Sequence, residues 1–474
     1  MPPPLTYINI GPHGTFKKSG AVQTTSADID QFLDYVKLQA VTKLVIHFHG
    51  GLISEKSGLA IAQKMAPLYR DAGAVPVTVV WETGLLETFR SNLTKIHQTR
   101  VFQKILVWVL KKAAARLGVG VDAKGVGVEM TDDQVLAELK SDAPFENMQI
   151  GVGARGGGGP VSEAALPAMQ GDVAAELELE IDEDFLALVD EPGQNQQIAD
   201  AMSEPGAAGA KGAVTAVKAA WAVAKIVVRV VRRFIDKRDH GFYPTVIEEI
   251  LREYYLADLG GWLWTGMKDA GADMWKDNAG LIGDARHAGR YFIEGLAAVQ
   301  QATNVKVDLV AHSAGAVAIC RLLNVAAANL PQLKFRNVLL LAPAVRSDVF
   351  HAEVVSFPAR FDSLRIFTMS DAFESADRLA GPVYTRSLLY LISGVLEGTD
   401  DEPIVGMERY LSGASPYDSA DLNSIRTFLT APNRLVLAKT TSPGVDGLRS
   451  ESVRHGDFDD DPLTRASLVH IIQQ

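Results

Sequence analysis

The sequence predicts an α/β domain built on a doubly wound, mostly parallel sheet, and three observations carry the prediction. Apolar runs of strand length recur along the chain, and segments with helical periodicity separate them. The runs are apolar throughout instead of alternating with polar residues, as expected of strands buried on both faces. Strand and helix patterns take turns, which is the signature of a parallel sheet with helices on both sides.

The first part of this core spans 1–98 and holds the runs LTYINIG (5–11), KLVIHFHG (43–50) and VPVTVVW (75–81), with a helical pattern over Glu55–Ala72. The second part spans 284–474. It holds VKVDLVA (305–311), VLLLAP (338–343), LRIFTMS (364–370) and RLVLAK (434–439), with helical patterns over Asp284–Ala302 and Ala314–Asn329. A terminal helix over Pro462–Ile472 has Asp461 as its N-cap and Pro462 at its first position, a chemically sensible start. A smaller insertion is expected from about 381 to 432.

Between the two parts, 99–283 breaks the alternation and reads as a large, mainly helical cap or lid insertion. Its centre is the glycine cluster GVGARGGGGP (151–160), read as a flexible loop. An acidic stretch over Ala174–Pro192 follows, then a Gly/Ala-rich linker at 204–212. Two helical segments, 101–118 and 213–237, are basic and amphipathic, with Lys104 and Lys111 on one face of the first and Lys218, Lys225, Arg229 and Arg232 close together on the second. Such faces suit peripheral contact with an anionic membrane. Pairing with the acidic stretch would explain the same charges.

Composition narrows the class. With 47% hydrophobic and 22% charged residues the 474-residue chain is globular, and a net charge of −11 argues against a nucleic-acid partner. The single cysteine, Cys320, excludes an internal disulfide framework, fits a reducing compartment and reads as an inert core thiol. Neither a secretory signal nor an apolar run of the roughly 18–20 residues that span a bilayer is evident, so a cytoplasmic location is expected. Oligomeric state is not legible.

The chemistry gathers around Ala311-His312-Ser313-Ala314-Gly315, which ends a strand pattern and opens a helix pattern. A serine on such a turn is lifted above the carboxyl edge of the sheet, and the tight turn tolerates only small residues two positions to either side, here Ala311 and Gly315. A serine opening a helix is also a good N-cap, so the pentapeptide alone does not decide between nucleophile and cap. A serine nucleophile needs a base, itself held by a carboxylate. His455, in the last strand-to-helix loop, is placed to supply the base, and Asp371, directly after LRIFTMS, the carboxylate, with Asp348 as the alternative acid. Glu374 and Asp377 read as parts of the helix start that follows. The oxyanion needs backbone N–H donors, expected from Ala314 and from Gly51 in HFHGGL (47–52), with Leu52 possible by a shift of one residue.

These segments together resemble the α/β-hydrolase fold of serine hydrolases, with lipases and esterases as the nearest chemistry. The resemblance rests on HFHGGL, AHSAG, the Asp371 region and RHGD around His455, in the order Ser, Asp, His, and covers roughly 5–82 and 284–474. It implies hydrolysis of an ester or lipid through an acyl-enzyme, with no metal or organic cofactor. Alternatives are a thioesterase or amidase using the same triad, or a membrane- or protein-binding module on a catalytically inactive hydrolase-like scaffold. The glycine cluster does not read as a phosphate loop, because it lacks a preceding strand and a Lys-Ser/Thr ending.

Overall fold

The structure, a computed structural model, describes residues 5–51, 53–81, 86–120, 130–146, 149–150, 162–189, 211–255, 261–443 and 445–474. The glycine cluster and most of the Gly/Ala linker lie outside these residues, as does Leu52. The chain divides into two compact units. One comprises Met1–Leu86, Trp262–Asp377 and Pro403–Gln474; the other comprises Glu87–Gly261 and Arg378–Glu402.

The first unit is a seven-stranded α/β sheet. Its strands are β1 (Tyr7–Ile10), β2 (Lys43–Phe48), β3 (Val75–Trp81), β4 (Lys306–His312), β5 (Phe335–Leu341), β6 (Phe361–Met369) and β7 (Leu435–Ala438). They lie in the order β1-β3-β2-β4-β5-β6-β7, and every pairing is parallel. Each of the seven apolar runs in the sequence supplies one of these strands.

Successive side chains point to opposite faces. Leu44, Ile46 and Phe48 of β2 enter one core with helices α1 (Ser26–Leu38), α3 (Ala288–Thr303) and α4 (Gly315–Asn329). Val45 of β2 enters the other with α2 (Glu55–Asp71) and α6 (Pro462–Gln473); a short α5 (Asp371–Ala376) follows β6. Both faces of the central strands are therefore covered, which is why these runs carry no polar alternation. The chain leaves β2 through α2 to β3 on one side, and leaves β4 through α4 to β5 on the other. The adjacent carboxyl ends of β2 and β4 thus form the switch point where open α/β sheets bind ligands.

Two stretches that the sequence assigned to insertions pack into this unit. Trp275 is buried and its Nε1–H donates to the Ala318 carbonyl of α4 at 3.0 Å, so the chain before α3 is already core. Val405 N–H donates to Val345 O at 3.0 Å, and Ile425 and Leu429 are core residues, which draws 403–432 into the same unit.

The second unit is helical, with helices Arg100–Leu117, Leu166–Glu180, Glu183–Val189, Lys211–Ile235 and Phe242–Tyr254. Several of its basic side chains are met by acids inside the unit. Lys104 reaches Asp182 at 3.1 Å, Lys112 reaches Glu180 at 2.7 Å and Arg116 reaches Glu176 at 2.6 Å. Lys225 and Arg229 share Glu253 at 3.0 and 2.7 Å. Arg233 is fully buried, with Glu248 at 2.7 Å and Glu249 at 3.2 Å. The His240 ring lies between Glu248 Oε1 at 2.9 Å and Asp401 Oδ1 at 3.0 Å, and the Tyr384 hydroxyl donates to Glu248 at 2.6 Å. Burial opposes the charge on Glu248, but His240 and Arg233 outweigh it and hold that carboxyl down to about 2. Among the described residues no helix is long and apolar enough to cross a membrane.

Candidate active site

Ser313 stands on the turn between β4 and α4 with φ of 50°, in the left-handed region that a residue with a Cβ rarely adopts. The conformation is held from both sides: Ser313 N–H donates to Leu341 O at 2.8 Å, and Ser313 O accepts from Ala344 N–H at 3.0 Å and Ala316 N–H at 3.1 Å. An ordinary N-cap has extended backbone and caps with its side chain. The residue before α4 is instead Ala314, and no side-chain cap is made there. The Ser313 hydroxyl is directed elsewhere.

It meets His455, with Oγ to Nε2 at 2.8 Å and both residues buried. His455 opens a single 3₁₀ turn, His455–Asp457, ahead of α6. Its approach is fixed through its main chain. Its N–H donates to Asp377 Oδ2 at 2.9 Å, and its carbonyl accepts from His312 Nε2 at 2.9 Å. Asp461 caps α6 by accepting from Thr464 N–H at 2.8 Å and also accepts from Glu451 N–H at 3.0 Å, so it ties the chain before His455 to the helix after it. Burial, with a smaller push from the His312 imidazole, lowers His455 to about 3, so the ring is neutral near pH 7 and free to accept a proton. Its Nδ1 is buried and makes no hydrogen bond among the described residues.

The acids fall differently from the expectation. Asp371 is the first residue of α5, and its N–H donates to Glu408 Oε2 at 2.8 Å. Asp348 pairs with Arg346 at 2.7 Å beside β5. Neither carboxylate bonds to His455, because Nδ1 has no partner. The carboxylate that does reach His455 is Asp377, which the sequence assigned to a helix start; it is the C-cap of α5, one helix further along the chain.

The glycine loop lies against Ser313 and Ala314. A Cβ at Gly50 would stand 3.5 Å from Ser313 Cβ, and one at Gly51 would come within 2.9 Å of Ala314 Cβ and 2.3 Å of Met267 Sδ. A Cβ at Gly315 would come within 2.6 Å of the Phe48 carbonyl, which explains the small residue there. The N–H groups of Gly51 and Ala314 make no hydrogen bond among the described residues. The loop is braced by His49, whose Nδ1–H donates to Gly50 O at 2.6 Å and whose Nε2 accepts from Trp81 N–H at 3.1 Å, with the two rings stacked at 4.2 Å. The bond from Trp81 needs the neutral ring, and burial lowers His49 to about 4.

The structure brings Ser313, His455, Gly51 and Ala314 together and sets Asp377, His312 and Met267 beside them, none of which carries a local signal in the sequence beyond residue type. Among the described residues no group of His, Cys, Asp and Glu is arranged to hold a metal ion. Cys320 is wholly buried in α4, which pushes its thiol up, in keeping with an inert core position. No protein-family model, no curated protein and no solved structure matches this chain.

Proposed function

We propose that the first unit is a serine hydrolase of the α/β-hydrolase type, cleaving carboxylic esters through an acyl-enzyme. The observation that carries the proposal is the 2.8 Å pair of Ser313 Oγ and His455 Nε2 on a positive-φ turn, beside a glycine loop with uncommitted N–H groups. Ser313 attacks the ester carbonyl as neutral His455 takes its proton. The Gly51 and Ala314 amides stabilise the oxyanion, a contribution of roughly 3–4 kcal/mol per donor in such sites. His455 then protonates the leaving alcohol, and water activated by the same ring releases the acid.

The mechanism needs a carboxylate for the imidazolium, and we assign it to Asp377 in place of Asp371. Its oxygen lies 2.9 Å from the His455 amide, and the unmet Nδ1 belongs to the same residue. In the reacting complex the carboxylate bridges the amide and Nδ1–H, raising the basicity of a ring that burial has lowered. The basic helices of the second unit gave a reason to favour lipid esters; Lys104, Lys112, Lys225 and Arg229 are engaged in ion pairs, so the substrate proposal is for carboxylic esters as a class.

Turnover of short-chain p-nitrophenyl esters tests the reading. Hydrolysis by wild type, with a fall of at least about 10³-fold in Ser313→Ala, is expected from loss of the nucleophile. Equal turnover by both proteins would remove Ser313 from the mechanism.

A further inference from the structure

We infer that His312, the residue before the nucleophile, is a positioning residue that holds the loop bearing His455 against Ser313. The inference rests on the proposed serine-hydrolase reading, because it assigns a task to a neighbour of that pair.

His312 meets three segments at once. The carbonyl of His455 is an acceptor only, so His312 Nε2, at 2.9 Å, must carry the hydrogen. Its Nδ1 faces the oxyanion loop, where a Cβ at Gly50 would lie 3.4 Å away. The same nitrogen is 4.0 Å from Asp459 Oδ1. Asp459 is buried and lies 3.6 Å from Lys64 of α2, which also grips Asp460 at 2.5 Å. Burial works to raise the Asp459 carboxyl, but His312, Lys64 and His47 together hold it below its ordinary value. The imidazole thus lies beside a buried carboxylate that is itself held by Lys64 of α2, and it presents its donor to the main chain of the proposed base.

The reason for such a tie is mechanical. His455 sits on one 3₁₀ turn at the end of a long irregular connection between β7 and α6, not on a strand or a long helix. Its side chain must stay within hydrogen-bonding reach of Ser313, and a misplacement of about 1 Å can cost on the order of 10²-fold in rate. Asp377 holds the amide of His455 and His312 holds its carbonyl, so both polar groups of the residue's main chain are fixed by side chains from elsewhere. The two imidazole rings, with centroids 5.5 Å apart and tilted by 32°, share no hydrogen bond, and the bond His312 makes is to the His455 carbonyl, so His312 acts through the backbone.

The test is the rate of Ser313 modification by a fluorophosphonate across pH, in wild type, His312→Leu and His312→Gln. Leucine keeps bulk without a donor, and glutamine restores an N–H. His312→Leu is expected to label on the order of 10²-fold more slowly, with its acid limb displaced to higher pH as His455 loosens from its buried position; His312→Gln is expected to recover most of both. A wild-type rate and pH profile in His312→Leu would overturn the inference while leaving the hydrolase reading intact. Absence of label on wild type would instead overturn the hydrolase reading itself. If His312→Leu does not fold, His312→Met provides the second measurement: it too lacks a donor, so labelling slower than in His312→Gln supports the inference, and a wild-type rate contradicts it.

Discussion

At Ser313 the backbone is placed at φ of 50° by three main-chain hydrogen bonds, a conformation that costs on the order of 1–3 kcal/mol for a residue with a Cβ. That cost is understandable if the hydroxyl is the nucleophile, because the turn points it at His455 instead of at the helix. The role proposed for Asp377 can be separated from those of Asp371 and Asp348 by substitution. Asp377→Asn should lower kcat for a p-nitrophenyl ester by roughly 10³–10⁴-fold, as loss of the acid does in other triads. Asp371→Asn and Asp348→Asn should stay within a few-fold of wild type, and steady-state kinetics on the three variants would check this. Gly315→Ala should also fail, for a steric reason: its Cβ would sit 2.6 Å from a backbone oxygen, and overpacking of that kind costs about 1–3 kcal/mol or more. A lowered urea midpoint in that variant is the expected result. The residues proposed as nucleophile, base and oxyanion loop were legible as candidates because each is marked by its neighbours: small residues around Ser313, paired glycines after His49, and a strand-to-helix loop around His455. The carboxylate nearest His455 was not legible. Position after β6 favoured Asp371, but α5 begins at that residue and carries the chain on, so the carboxylate that reaches His455 comes from its far end.

Among the elements, the strands were the most legible, since a central parallel strand is apolar on both faces and needs no partner to be read. The boundaries of the insertions were less so. Trp275 and the 403–432 stretch look like loop or helix in isolation, and only their burial against α4 and the Val345 segment assigns them to the sheet-bearing unit. The basic helices show the same limit in another form. A helical wheel displays Lys104, Lys225 and Arg229 as one-sided charge, but their partners Asp182 and Glu253 lie 78 and 24–28 residues away in sequence. Ion pairs at such different depths should have different energetic weight. Arg233→Met leaves Glu248 and Glu249 buried beside an apolar side chain, with a predicted loss of about 3–5 kcal/mol. Lys225→Ala, at a half-exposed pair, should change stability by no more than about 1 kcal/mol. Chemical denaturation followed by far-UV circular dichroism would distinguish the two.

For the whole molecule, the sheet carries an acid liability close to its proposed site. Burial lowers His47 and His455 to about 3 and His49 to about 4, against about 6.5 in an unfolded chain. The unfolded state therefore binds more protons between these values. Stability is full above pH 6.5 and is lost as pH falls toward 4 and below, at up to roughly 1.4 kcal/mol per histidine per pH unit. The urea midpoint should accordingly be lower at pH 5 than at pH 7, and His49→Gln, which cannot take up a proton there, should narrow the difference. A midpoint independent of pH over this range would contradict neutral burial of the three rings. The α/β class and the run of seven strands were legible at this scale from pattern alone, whereas the division into units depends on long-range packing that no local pattern records.

The most direct measurement is intact-mass detection of fluorophosphonate labelling on wild type and Ser313→Ala. One adduct on wild type and none on the variant is the expected result, because only a serine activated by His455 reacts at a useful rate. Absence of an adduct on wild type, or an equal adduct on both proteins, would contradict it.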